Sequence, residues 1–334
     1  MLSNTYTLRG HRFMQLIPVA NVEYALDYKP EDRDRIQVSY PRSGSNWIQY
    51  IIQLIVSDCQ QLSGSQHGYY LFERTGRQLI DDQQENLDVT ILTTHLPWKL
   101  LPNSPDSSRA RYLLAIRNPK DVCVSHYEFM KAARYLPDQI QEFPVYFREY
   151  FLGGGQYQDF VGDYFGHVRE YWSEFRNGMS DTDTAGADNH NKYTILIYEH
   201  MVDNPREAIK TIAKFLGNNY FDRLSMPMLS TTSAADDDDN GVDTSTTTTT
   251  TTTNSLSSVE TLLDRIVRLS SIQAMKPNYS GDPRISRGVV GNWRRYLTKR
   301  ESDLIDQKVT DEWQGTGLEL LWEQEMKWHK ITDH

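Results

Sequence analysis

Three clusters of polar side chains stand where an apolar run of this sequence gives way to the next element, and their types suit the handling of an anion. The densest is Tyr40-Pro41-Arg42-Ser43-Gly44-Ser45-Asn46-Trp47. Ile36 and Val38 alternate before it, while Ile48, Ile51, Ile52 and Ile55 recur at helical spacing behind it, so the cluster is a loop at a helix start. Backbone N–H groups and the positive end of the helix dipole converge at such a place. Gly44 lets the backbone approach an anion, and Ser43 and Ser45 add donors beside a fixed cation, Arg42. An ordinary βα turn is the plainer reading. The second cluster, Thr93-Thr94-His95-Leu96-Pro97, offers an imidazole. The third, Arg117-Asn118-Pro119-Lys120-Asp121, offers a guanidinium and is followed by Ser125.

The elements that must position these groups are short strands alternating with amphipathic helices. Val89–Leu92, Tyr112–Ile116 and Tyr193–Ile197 read as further strands. Pro119 suits a first helical turn. After Tyr198-Glu199-His200 a helix has Asn204 as N-cap, Pro205 at N1 and Gly217 at its end. Ile209, Ile212, Ala213 and Leu216 form its buried stripe. Residues 1–34 are mixed and weakly periodic, and helix is expected again at Val259–Met275. This alternation predicts an α/β fold with a mainly parallel sheet flanked by helices, whose ligands gather at the carboxyl ends of the strands. Arg42, His95 and Arg117 each follow the end of a different expected strand.

Composition narrows the classes. The chain has 334 residues, 38% of them hydrophobic, enough for one large domain. Its two cysteines, Cys59 and Cys123, suggest no disulfide framework and a reducing, cytoplasmic setting. No sustained apolar run resembles a signal peptide or a membrane span. A net charge of −10 argues against a general nucleic-acid binder. Two polar stretches, near 181–192 and 230–258, are expected to be disordered insertions within one domain covering 1–334. The second holds four consecutive aspartates, Asp236–Asp239, and eight consecutive threonines, Thr246–Thr253, with almost nothing to bury. No His/Cys/Asp spacing suggests a metal.

Taken together, the clusters carry a resemblance. Tyr40–Trp47 resembles the loop Y-P-K-S-G-T-T-W of the cytosolic sulfotransferases. Arg117 to Ser125 is similar to their second nucleotide motif, and Arg287-Gly288-Val289-Val290-Gly291-Asn292-Trp293-Arg294 to their segment R-K-G-x-x-G-D-W-K. Thr94-His95-Leu96-Pro97, Gly162 to Val168 and Tyr198-Glu199-His200-Met201 match in the family's order.

The resemblance implies a three-layer, P-loop NTPase-like fold and transfer of a sulfuryl group from 3′-phosphoadenosine-5′-phosphosulfate (PAPS) to a hydroxyl or amine of a small, apolar acceptor. The product nucleotide would be 3′,5′-diphosphoadenosine (PAP). His95 would be the general base, a role that contributes ~10²–10⁴-fold. Arg42 and residues Ser43, Gly44, Ser45, Asn46 and Trp47 would hold the 5′-phosphosulfate. Arg117, Ser125, Ser286, Arg287 and Gly288 would hold the 3′-phosphate, with Trp47, Tyr198, Ser270 and Ile272 around adenine. The acceptor pocket would draw on the N-terminal segment, Tyr69 to Phe72, Phe143 to Tyr150 and the loops before Gly288.

Three positions depart from the family: Arg42 replaces a lysine, Thr93 a second lysine, and Ser286 an arginine. Guanidinium keeps charge but does not give up a proton. The family's dimer segment is matched only at Arg294, Thr298-Lys299 and Asp303, which leaves a homodimer open. Two rivals stand beside the enzyme. One is a nucleotide-binding homologue with weak or lost catalysis. The other is a P-loop kinase, although the chain lacks G-x-x-x-x-G-K-[ST].

Overall fold

A computed structural model describes residues 5–60, 70–84, 87–101, 110–153, 159–179, 192–228, 260–278 and 288–329. The insertion expected near 230–258 lies outside these residues, as does nearly all of that near 181–192.

Two strands, β1 (Thr5–Leu8) and β2 (His11–Met14), form an antiparallel hairpin. Four more, β3 (Asp34–Ser39), β4 (Thr90–Thr94), β5 (Arg111–Ile116) and β6 (Tyr193–Ile197), form a parallel sheet in the order β4-β3-β5-β6. Side chains alternate across it. Tyr112, Leu114 and Ile116 enter one core with Ile36, Val38 and Leu92, while Leu113 and Ala115 enter the other with Leu196. Helices cover both faces, so the fold is a three-layer α/β sandwich, as its strands, buried on both sides, require. The helices Ser45–Val56, Pro205–Leu216 and Leu262–Leu269 close one face; Pro119–Ala132, Tyr164–Gly178 and Lys299–Trp313 pack into the other core.

Because β3 sits between β4 and β5, the chain leaves it in one direction for β4 and crosses back over it for β5. Their carboxyl ends therefore open a crevice. Tyr193–Ile197 has the expected bounds, and Asn204 caps its helix by accepting the N–H of Glu207 at 3.4 Å. The weakly periodic N-terminus holds the β1–β2 hairpin and the helix Val19–Asp27, whose regular structure depends on packing Phe13, Val22 and Ala25 into the core. Two expectations are corrected. The second strand runs Thr90–Thr94, not Val89–Leu92. The helix expected over Val259–Met275 is two, Leu262–Leu269 and Ile272–Asn278. The break follows from Ser271, whose hydroxyl bonds back to the Arg268 carbonyl (2.9 Å) and accepts the Ala274 N–H (3.3 Å), starting a new helix.

Candidate active site

The four parallel strands deliver Ser39, His95, Arg117 and Tyr198 at or immediately after their carboxyl ends. After β3 the chain turns tightly. Arg42 has φ 74° and Gly44 φ 103°, both left-handed, and the helix begins at Ser45 with Gly44 as its N-cap. A Cβ on Gly44 would lie 2.8 Å from Cδ2 of Tyr198, so glycine is required both for the turn and for close packing on that ring. Among the described residues Ser43 Oγ, Arg117 Nε and Ser270 Oγ are buried without a hydrogen-bond partner. Polar atoms are seldom left so, and a loop with orphaned donors at a helix start fits an anionic ligand.

His95 is buried. Its Nδ1 bonds the Ser39 carbonyl at 2.7 Å, and since a carbonyl only accepts, Nδ1 carries the proton and the lone pair lies on Nε2. Burial, with the nearby charge of Arg42, lowers its pKa to about 4. The ring is a neutral base at neutral pH. From below, the His95 N–H and the Thr94 hydroxyl both donate to Glu73, at 2.9 Å each, and burial raises that carboxyl to about 7.

Arg42 Nε donates to Ser125 Oγ at 3.1 Å, and its guanidinium stacks on Phe129, 5.1 Å from the ring centre. The loop cation and the hydroxyl expected at the other phosphate thus meet in one contact. Arg117 lies over the Tyr198 ring at 4.2 Å and donates to the Arg42 carbonyl at 3.1 Å. Trp47 meets Tyr198 edge-on at 5.8 Å and donates its Nε1–H to the Ser270 carbonyl at 2.8 Å. Gly288 packs under Ile272: a Cβ there would fall 2.1 Å from Ile272 Cδ1. Its segment is tied to the Arg117 helix by Asp121, which accepts the N–H groups of Gly291 (2.7 Å) and Trp293 (3.2 Å). Ser286 and Arg287 lie outside the described residues.

A cavity of about 490 Å³ joins these groups. Arg42, Gly44, Ser45, Asn46, Trp47, Arg117, Tyr198, Ile272, Gly288 and His95 line it. Ser43, Ser125 and Ser270 do not, although Ser125 and Ser270 bond the lining residues Arg42 and Trp47. The apolar part of the lining includes Met14 and Ile17 from the N-terminal segment and Leu71 from the region expected to contribute aromatics. Phe143 to Tyr150 do not line it. Tyr146 and Tyr150 lie one layer back, where Tyr146 Oη is 2.8 Å from Nδ1 of His126. The wall instead is a face of the helix Pro119–Ala132 and its end: His126, Phe129, Met130 and Ala133. Their spacing of three, four and seven residues was the available signal. Asp159, also on the wall, follows no motif.

Thr93 does not line the cavity. It is fully buried, donating to Gln37 Oε1 (3.3 Å) and accepting from Gln49 Nε2 (3.2 Å). An uncharged network thus occupies the place of the second lysine that the resemblance led one to expect. Thr298 caps the helix Lys299–Trp313, and Lys299 pairs with Asp303 at 2.7 Å in that helix. Among the described residues no helix is long and apolar enough to cross a membrane.

Comparison with known proteins agrees with this architecture. The family model described as "Sulfotransferase domain" matches residues 32–317. The 3-beta-hydroxysteroid sulfotransferase of Cavia porcellus is 27% identical, over 97% of this chain and 100% of its own. Sulfotransferase 1C2 of Rattus norvegicus is 26% identical, over 93% of each. Among solved structures, mouse sulfotransferase SULT7A1 complexed with PAP superimposes with a TM-score of 0.65 at 19% identity, covering 97% of this chain and 100% of that one. Retinol dehydratase, in complex with androsterone and the inactive cofactor PAP, gives 0.60 at 19%, over 94% and 91%. A domain match over most of the chain, on a parallel sheet that gathers the loop, the imidazole and the second arginine at one crevice, shows that this protein belongs to the sulfotransferase family of enzymes.

Proposed function

We propose that this chain transfers the sulfuryl group of PAPS to a hydroxyl or amine of a small acceptor, with His95 as general base. The observation that carries this reading is the His95 ring: neutral, fixed in the tautomer with its lone pair on Nε2, and facing a cavity between the cationic loop and an apolar wall. PAPS would supply an activated sulfur. The acceptor oxygen forms a bond to that sulfur while the bond from sulfur to the phosphate oxygen breaks, the acceptor proton passes to His95, and PAP leaves with the bonding pair. Arg42 and the loop N–H groups would stabilise the charge gathering on the leaving phosphate, which in a loose in-line transfer is the larger contribution. Arg42 acts there by charge alone, since guanidinium does not deprotonate. Arg117, Ser125, Arg287 and Gly288 would hold the 3′-phosphate, and Trp47, Tyr198, Ser270 and Ile272 would enclose adenine.

Incubation with radiolabelled PAPS and a panel of phenols, steroids, alcohols and amines tests the reading: labelled product is expected, and its absence with every acceptor counts against it. The second reading, a nucleotide-binding protein without turnover, is favoured by the uncharged Thr93–Gln37–Gln49 network. Tight PAP binding with no transfer would select it.

A further inference from the structure

Resting on that reading, we propose that the acceptor site selects an amphipathic amine, a molecule with an apolar body, a hydroxyl that reaches His95 and an ammonium group that pairs with Asp159. Among the described residues Asp159 is the single acid on the cavity wall. Its orientation is fixed. Oδ1 accepts the Val161 N–H at 3.1 Å, and the Asp159 carbonyl accepts the Gly162 N–H at 3.2 Å. The carboxylate sits beside the apolar part of the lining: the next residue, Phe160, stacks on Phe13 at 4.7 Å, and Phe160 and Met14, which follows Phe13 in the chain, line the same cavity as His95.

The carboxylate is under-compensated. Among the described residues it forms no ion pair, and the charge of Arg12 reaches it only through space. Burial accordingly raises its pKa to about 6, which leaves it ionised above neutrality but poorly solvated. Anchoring the turn does not require that charge, because a neutral amide oxygen would accept the Val161 N–H as well. Of the arginines on the wall, Arg42 and Arg117 flank the loop where the anionic donor would sit, and Arg74 is solvent-exposed. With an anionic donor neutralising the first two, the half-buried carboxylate on the cavity wall favours a cation on the acceptor.

The test is calorimetric titration at pH 7.5 of the PAP-saturated full chain with tyramine and with 4-propylphenol, which has a methyl group in place of the ammonium. Tyramine is expected to bind about tenfold tighter or more, and Asp159→Asn, which keeps an oxygen for Val161, to erase that ratio. Equal affinities, absence of tyramine binding, or a preference that survives the substitution would overturn the proposal. Transfer assays with the same pair separate the two readings. Labelled 4-propylphenol without a tyramine preference leaves the sulfuryl-transfer reading standing and removes this one; amine-selective binding without any transfer does the reverse.

Discussion

Nδ1 of His95 lies 2.7 Å from the carbonyl oxygen of Ser39, a bond across the ends of the adjacent parallel strands β4 and β3. A backbone acceptor at the end of one strand therefore sets the protonation state of a side chain at the end of the next. In the ligand-free protein, histidine NMR should find His95 as the Nδ1–H tautomer, neutral down to about pH 4, where an ordinary imidazole would be half charged near 6.5. A titration near 6.5, or an Nε2–H signal, would remove the base assignment. His95→Ala should lower kcat by ~10²–10⁴-fold.

Arg42 combines a left-handed backbone with the charge of the loop. Replacing it with glycine should relieve about 1 kcal/mol of backbone strain while removing the guanidinium. The strain relief offsets the loss of the Ser125 bond and the Phe129 stacking, so the expected outcome is a folded protein within about 1 kcal/mol of wild type whose kcat falls by ~10²-fold or more. Retention of full turnover in Arg42→Gly or Arg42→Ala would show that another group stabilises the transferred charge.

Gly44→Ala places a methyl group 2.8 Å from the Tyr198 ring at a φ of 103°. Tyr198 cannot retreat freely, being covered by Arg117 and edged by Trp47. The loop should shift, at a cost of about 1–3 kcal/mol, and PAP affinity measured by titration should fall by about tenfold or more. Unchanged affinity would mean that the close approach of loop and ring is not part of the nucleotide site.

Glu73 gives a prediction in pH. Burial holds its folded carboxyl at about 7, above the ordinary 4.5. Between those values the unfolded chain has already released the proton that the folded chain keeps, so this group stabilises the fold below about 4.5 and the contribution is lost as pH rises towards 7. At about 1.4 kcal/mol per unit the swing is roughly 2–4 kcal/mol. Denaturant unfolding of wild type and Glu73→Gln at pH 5 and 8 isolates it: the wild type should lose that much relative to the variant. Parallel changes in both proteins would show that Glu73 titrates normally. His95, His126 and His167, whose folded pKa values burial lowers to about 4, 3 and 3, act oppositely, which is why the difference between proteins is the useful quantity.

Lys120 is wholly buried and donates to Ser302 Oγ (2.7 Å), Asp306 Oδ2 (2.9 Å) and the Met326 carbonyl (2.7 Å), tying its own helix to the helix Lys299–Trp313 and to the segment at Met326. Lys120→Met should cost about 2–4 kcal/mol in denaturant unfolding, since Ser302 and Met326 lose their donor in the interior. PAP binding should weaken as well, because the Trp293 ring that Lys120 underlies at 4.7 Å belongs to the segment carrying Gly288. A loss of stability with unchanged PAP affinity would uncouple that segment from the nucleotide.

The alternation of strand and helix, the parallel sheet and the loop at a helix start are all readable along the chain, because a side-chain period of two or 3.6 and residues such as Gly44, Pro119 and Asn204 act within a few positions of themselves. The same patterns put Arg42, His95 and Arg117 at strand ends, and the ordered motifs identified the family. What those groups do to one another depends on contacts made in three dimensions. The Ser39 carbonyl that fixes the His95 tautomer, the Arg42–Ser125 contact, the displacement of Phe143–Tyr150 behind His126, and the arrival of Asp159 on the cavity wall all join residues of separate elements that share no local pattern, 56 positions apart for the first and 83 for the second. Such contacts arise when strands from distant parts of the chain pair in one register, and no short stretch of sequence carries that information.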